Sequence, residues 1–175
     1  MTASDPSIRH ARSTVVRVHS FDVFDTSLLR RVAAPSDVFR LIGRRIAREI
    51  RVVLQDQFVE DFLFARLSAE RDALLHCEEC TIDQIWTILH EKLPDLPHAY
   101  GSEYELEAEQ SVLVPNAIVA TQIAALRAAG ARIVFVSDTY LPAEFVRTEL
   151  LRHRLALDGD GLYVSSALGV TKRTG

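Results

Sequence analysis

The sequence predicts an α/β protein, a parallel sheet interrupted by a block of helices. Three observations carry that expectation: the apolar run 15–21 that ends in the polar Asp22, the helical periodicity of residues 35–112, and the return of strand and helix alternation beyond them.

The first strand is expected over 15–21, where β-branched and apolar residues lead into a polar loop beginning at Asp22. Pro35-Ser36-Asp37 then marks a helix start with Ser36 as N-cap and with Val38, Leu41, Ile42 and Ile46 on one face. A second helix over about 57–75 aligns Phe58, Phe62, Ala65, Ala69 and Ala73. Two capping boxes follow. Thr81 with Gln84 opens a helix bearing Ile85, Trp86 and Leu89, and Ser102 with Glu105 opens one carrying Leu106, with Pro94 and Pro97 between them.

The pattern changes after residue 112. Pro115 suits the first turn of a helix with Ile118, Ile123 and Leu126, and Gly130 suits the left-handed position after its end. The continuous apolar run Ile133-Val134-Phe135-Val136 is expected of a strand covered on both faces. Residues 138–141 form the loop beyond it. Pro142 starts a helix carrying Phe145, Val146, Leu150 and Leu151, and the turn at 158–161 leads into a third strand at Leu162-Tyr163-Val164. Helices inserted after the first strand lie over its carboxyl end, where parallel sheets bind ligands, so the block is positioned as a lid, with a solvated helical decoration as the equal alternative.

Hydrophobic residues make up 48% of the 175 and charged residues 25%, the balance of a globular protein with a core to bury. The net charge of −4, with Lys and Arg scattered along the chain, gives no basic stripe for nucleic acid. The polar tail 1–14, with Arg9 and Arg12, is followed by no apolar stretch of signal or membrane length, which leads us to expect a cytoplasmic protein without a membrane partner. Cys77 and Cys80 form a lone C-x-x-C beside His76. Without a second pair, two reduced thiols are expected rather than a zinc site.

Three polar clusters follow the three expected strands: Asp22 to Thr26, Ser137-Asp138, and 165–172. Parallel strands bring their carboxyl ends to one side, so the clusters should converge. A carboxylate there can act as a nucleophile, and Asp22 is the candidate. An anionic substrate approaching it needs positive charge and hydrogen-bond donors, which Lys172, Ser137 and Thr26 can supply. Asp25 and Asp138 are candidates for contacting the rest of the substrate.

Phe21-Asp22-Val23-Phe24-Asp25-Thr26 resembles the first motif of the haloacid dehalogenase-like (HAD) hydrolases, Val134-Phe135-Val136-Ser137-Asp138 resembles the second, and Lys172 matches the third. The wider phrasing, including Ser137-Asp138-Thr139-Tyr140-Leu141-Pro142, is similar to a HAD group sometimes fused to glycosyltransferases. The resemblance implies a parallel Rossmann-like core over 15–34 and 113–175 and an inserted helical cap over 35–112. It also implies catalytic roles for Asp22, Thr26, Ser137 and Lys172. Magnesium would sit on Asp22 and the backbone carbonyl of Phe24, and the substrate would be a small phosphorylated metabolite. Two departures stand out. Phe24 takes the place where HAD phosphatases carry a second Asp as general acid, and the fourth motif, an acidic pair after a further strand, is missing from the sequence up to Gly175, so the core is expected to be incomplete, as in a truncated reading frame or one domain of a longer protein with a downstream domain. Phosphoryl transfer through an aspartyl nucleophile is the leading expectation. Carbon–halogen hydrolysis, in which a halide leaves without a proton, and a catalytically silent interaction module are its rivals.

Overall fold

The computed structural model describes residues 16–75 and 78–174. The tail 1–14, Val15 at the start of the expected first strand, His76, Cys77 of the C-x-x-C, and Gly175 lie outside the described residues.

Strand β1 spans Val18–Asp22, so Asp22 closes the strand instead of opening the loop. After a tight turn, β2 covers Leu28–Arg30. Four helices come next: α1 (Asp37–Glu49), α2 (Gln55–Leu74), α3 (Ile82–Lys92) and α4 (Ser102–Val112). Strand β3 (Leu113–Pro115) leads to α5 (Ala117–Ala128), β4 (Arg132–Ser137), α6 (Ala143–Arg152), β5 (Gly161–Val164) and the short α7 (Ser165–Leu168).

The sheet that positions the site is β1-β4-β5, with both pairings parallel. Asp22 lies opposite Val136, and Ser137 opposite Val164. The carboxyl ends of all three strands therefore share one edge of the sheet. In β4, Ile133 and Phe135 are buried while Val134 and Val136 are half-buried. The run is not covered equally on its two faces, because one face packs into the main core and the other stays partly open.

A second, two-stranded sheet was not foreseen. Strands β2 and β3 pair antiparallel, Leu28 opposite Pro115 and Arg30 opposite Leu113. They draw together the two chain segments that enter and leave the helical block, and bonds from Arg31 N to Val112 O and from Asn116 N to Ser27 O, both 2.9 Å, extend the seam. Three-residue strands show no readable periodicity, and this pair exists only because both ends of the block must meet.

Within the block, Gly43 lets α1 approach α2 closely: a Cβ there would stand 3.3 Å from Val59 Cα. The apolar face of α1 is Val38, Phe39, Ile42, Ile46 and Ala47, and Leu41 faces solvent, one step off the buried stripe. Ser36 holds the N-cap position without a side-chain cap; Asp37 accepts the Ala34 amide at 2.9 Å instead. The Thr81 and Gln84 capping box forms as expected. The second does not: Gly101 is the N-cap of α4, Ser102 donates to Asp83, and Glu105 is drawn into the interior by Arg66 and Trp86. Pro115 ends β3, and Asn116 caps α5 through its bond from Ile118 N. Gly130 takes the left-handed conformation at φ 79° that sequence spacing assigned to it.

Among the described residues no helix is long and apolar enough to cross a membrane.

Candidate active site

Asp22 is set by β1, whose hydrogen-bonded register fixes its Cα beside Val136. The turn that follows is wound tightly around it. Val23 O accepts both Ser27 N (2.9 Å) and Leu28 N (2.8 Å), and Asp25 adopts φ 57°, a left-handed conformation that Asp tolerates better than most residues. Ser27, fully buried, donates to the Asp22 carbonyl at 2.6 Å. Thr26 thereby swings back over the carboxylate and donates to Asp22 Oδ2 at 2.8 Å. Its own carbonyl is held by Asn116 Nδ2 at 2.9 Å, which ties the turn to the start of α5.

Lys172 completes the group. Its ammonium donates to Asp22 Oδ1, and its backbone N–H donates to Asp138 Oδ1 at 2.9 Å. Asp138 thus holds the loop that carries the lysine. Ser137, 2% exposed, ends β4 beside Asp22 and lines the same cavity. Of the candidates named from sequence, Asp22, Thr26 and Lys172 touch, Ser137 and Asp138 border them, and Asp25 turns aside into an ion pair with Arg30 at 3.0 Å.

Asp22, Asp25, Ser137 and Asp138 line a cavity of about 640 Å³, the size of small-molecule sites, while Thr26 and Lys172 lie outside its lining. Its walls come from the β1 turn, the loop after β4, α1, α2 and the segment before α3. Phe24 lines it with its ring beneath the Arg30 guanidinium, 4.8 Å from centroid to Cζ. Arg30 makes a bidentate pair with buried Glu109 on α4, Nε to Oε2 at 2.9 Å and Nη2 to Oε1 at 3.1 Å. Burial opposes the Arg30 charge, but Glu109 and Asp25 outweigh it and raise the pKa above its ordinary value. Deeper, Arg66 and Glu105 form a wholly buried pair, Nη2 to Oε1 at 2.6 Å, with Trp86 Nε1 donating to Glu105 Oε2 at 2.9 Å. The Arg66 guanidinium also lies over the rings of Phe39 (4.5 Å) and Tyr140 (4.8 Å), and burial pushes the Tyr140 hydroxyl well above its usual range.

Sequence reading had not singled out Arg30, Glu79 or Glu109. Arg30 and Glu109 are 79 residues apart, and no local spacing signals a pair that the fold alone makes. Glu79 stands between Cys77 and Cys80, and no spacing in the sequence ties it to the strand ends. Cys80 itself is buried and borders the cavity.

Neither protein-family profiles nor curated proteins match the sequence. Solved structures do match its fold. L-2-haloacid dehalogenase from Xanthobacter autotrophicus aligns at 14% identity and TM-score 0.51, covering 90% of this chain and 60% of that one. The same enzyme with chloropropionic acid covalently bound aligns at 13% identity with the same TM-score. A HAD-hydrolase, YfnB, from Bacillus subtilis, bound to magnesium, aligns at 14% identity and TM-score 0.51 over 90% of this chain and 67% of its own. The chain spans about 60% of the length of the dehalogenase it matches. The likeness establishes a HAD-like fold.

Proposed function

We propose that this chain, which has the fold of the haloacid dehalogenase-like hydrolases, acts as a hydrolase through a covalent intermediate on Asp22, with a small phosphate monoester as substrate. The observation that supports this most is the contact of a strand-end carboxylate with both an ammonium group and a hydroxyl. Asp22, Lys172 and Thr26 make that contact, and Asp22 and Ser137 line one cavity.

Asp22 attacks phosphorus in line with the leaving oxygen, and the aspartyl phosphate formed is then opened by water. The Lys172 ammonium and the Ser137 hydroxyl would supply donors where negative charge grows on the transferring group, and Thr26, whose hydroxyl donates to Asp22, would turn to that group as substrate binds. Thr26 and Lys172 also orient the carboxylate before substrate arrives, one on each oxygen. The helical block α1 to α4 acts as a cap whose cavity wall selects the substrate, and Asp25 and Asp138 border that wall.

Magnesium, bound in the YfnB structure, would lie against Asp22 and the Phe24 carbonyl. Among the described residues no three His, Cys, Asp or Glu side chains gather to hold a metal ion, and each oxygen of Asp22 already accepts a hydrogen bond. The residues present do not fit the ion on their own, since magnesium favours about six oxygen ligands. Its chemistry would be neutralisation of phosphoryl charge, a task Lys172 is placed to share.

Carbon–halogen hydrolysis is the second reading, favoured by Phe24 lining the cavity in place of an acid. A panel of phosphate monoesters and 2-chloropropionate, assayed with and without magnesium, separates the two. Phosphate release lost in Asp22→Asn is the expected result. Chloride release lost in that variant selects dehalogenation, and identical background rates in both proteins overturn either enzyme reading in favour of a silent module.

A further inference from the structure

Hydrolysis of an alkyl phosphate leaves an alkoxide, which needs a proton, and Phe24 cannot give one. The acids that line the cavity are nearly all committed elsewhere. Asp25 pairs with Arg30, Glu109 grips Arg30 bidentately, Glu70 pairs with Arg66 at 2.9 Å, and Asp138 accepts the Lys172 backbone amide. Glu79 differs. It lines the same cavity as Asp22 and Ser137, and among the described residues its carboxyl forms no ion pair.

The segment bearing Glu79 is fastened on one side to the turn that carries Lys172 and on the other to the loop after β4. Glu78 accepts hydrogen bonds from Thr171 N (3.4 Å), Thr171 Oγ1 (3.2 Å) and Thr174 Oγ1, so it clasps the turn that carries Lys172. Ile82 N donates to Tyr140 O at 3.1 Å, which fixes the start of α3 to the loop after β4. Glu79 lies between these anchors, next to Cys80, whose buried side chain borders the cavity.

We infer that Glu79, on the segment between α2 and α3, is the general acid and then the general base of the reaction at Asp22. The inference rests on the proposed phosphate monoester hydrolysis. In the first step the Asp22 carboxylate oxygen bonds to phosphorus, the ester P–O bond breaks with its electron pair going to the alkoxide, and the Glu79 carboxyl protonates that oxygen. In the second, water bonds to phosphorus and gives its proton to the Glu79 carboxylate, while the P–O bond to Asp22 breaks and frees phosphate. The surroundings suit the role. Burial raises the pKa of Glu79, a hydrogen bond with Ser165 opposes this, and the facing charges of Asp138, Glu78 and Glu70 raise it further.

The test compares two substrates in the whole 175-residue chain: an alkyl phosphate, whose leaving group needs a proton, and p-nitrophenyl phosphate, whose leaving group does not. Glu79→Gln should lower alkyl phosphate turnover by roughly 10²-fold or more and that of the aryl ester by only a few-fold. The fall in alkyl phosphate turnover as pH rises through the Glu79 pKa should disappear in the variant. Equal losses on both esters, or no loss, overturn the inference while leaving the proposed function standing. Should Glu79→Gln fold poorly, a leaving-group series on the native chain and on Glu79→Asp replaces it: a rate nearly independent of leaving-group basicity in the former and steep in the latter supports the acid, and parallel slopes overturn it. Native protein as inert as Asp22→Asn on both esters removes the hydrolase reading itself, and the inference with it.

Discussion

Lys172 donates to Asp22 across 150 residues of chain, from a turn that Asp138 and Glu78 hold in place. The pair has 39% of each side chain exposed, so it is open to a ligand and contributes little to stability. Its value is positional: a cation stands beside the carboxylate before substrate binds.

Removing that cation should therefore slow chemistry and spare the fold. Lys172→Met is expected to lower kcat by roughly 10²–10³-fold, the range for losing one preorganised charge-stabilising donor. Thermal unfolding should stay within about 0.5 kcal/mol of the native protein, as for an exposed pair. Steady-state kinetics with phosphate monoesters and a melting curve check both parts. A large stability loss would assign Lys172 to the architecture.

The buried pair of Arg66 and Glu105 should behave in the opposite way. Arg66→Ala strips the partner from a carboxylate that has no exposed surface, and the expected cost is about 3–5 kcal/mol in urea unfolding. Replacing both residues together by apolar side chains of similar volume should recover part of that loss, because no uncompensated charge remains.

The two sequence capping signals at α3 and α4 are separable. Thr81→Ala should cost about 1 kcal/mol, since Thr81 accepts the Gln84 amide at the start of α3. Ser102→Ala removes only an exposed bond to Asp83 and should change stability by less than about 0.5 kcal/mol. Equal effects would contradict Gly101 as the N-cap of α4.

Glu79 gives a pH signature independent of activity. Burial raises its folded-state pKa above the ordinary value, so its contribution to stability is present below the unfolded pKa and is lost as pH rises through the folded one. The glutamine variant lacks this titration. Glu79→Gln should accordingly melt higher than the native chain at pH 8, with the difference shrinking toward pH 4. A difference that grows on acidification would reverse the sign and contradict the burial of the carboxyl.

How far the sequence could be read depended on the range of each interaction. The start of α3, the end of α5 at the left-handed Gly130 and the strand running into Ser137 were legible because a cap, a turn or a periodic face is set by neighbours within a few residues. The Ser102 and Glu105 signal misled because a buried arginine on α2 and the α3 tryptophan draw Glu105 inward, a pull from helices packed alongside that outweighs a local bond worth about 1 kcal/mol. Pro115 misled for a similar reason: pairing with Leu28 claims it for a strand.

The sequence by itself determined the order of β1, α1 to α6, β4 and β5, the helical block between the first strand and the rest, and the residue types at each strand end of the parallel sheet. Hydrophobic period and turn chemistry are local and survive in the one-dimensional pattern. Tertiary structure alone decided which of those residues meet: that Lys172 reaches Asp22, that Arg30 is spent on Glu109, and that Glu79 faces the cavity from the helical block. These contacts join parts of the chain up to 150 residues apart. They follow from the parallel register of β1, β4 and β5 and from the seam of β2 with β3, which bring the segments together only when the whole fold is formed.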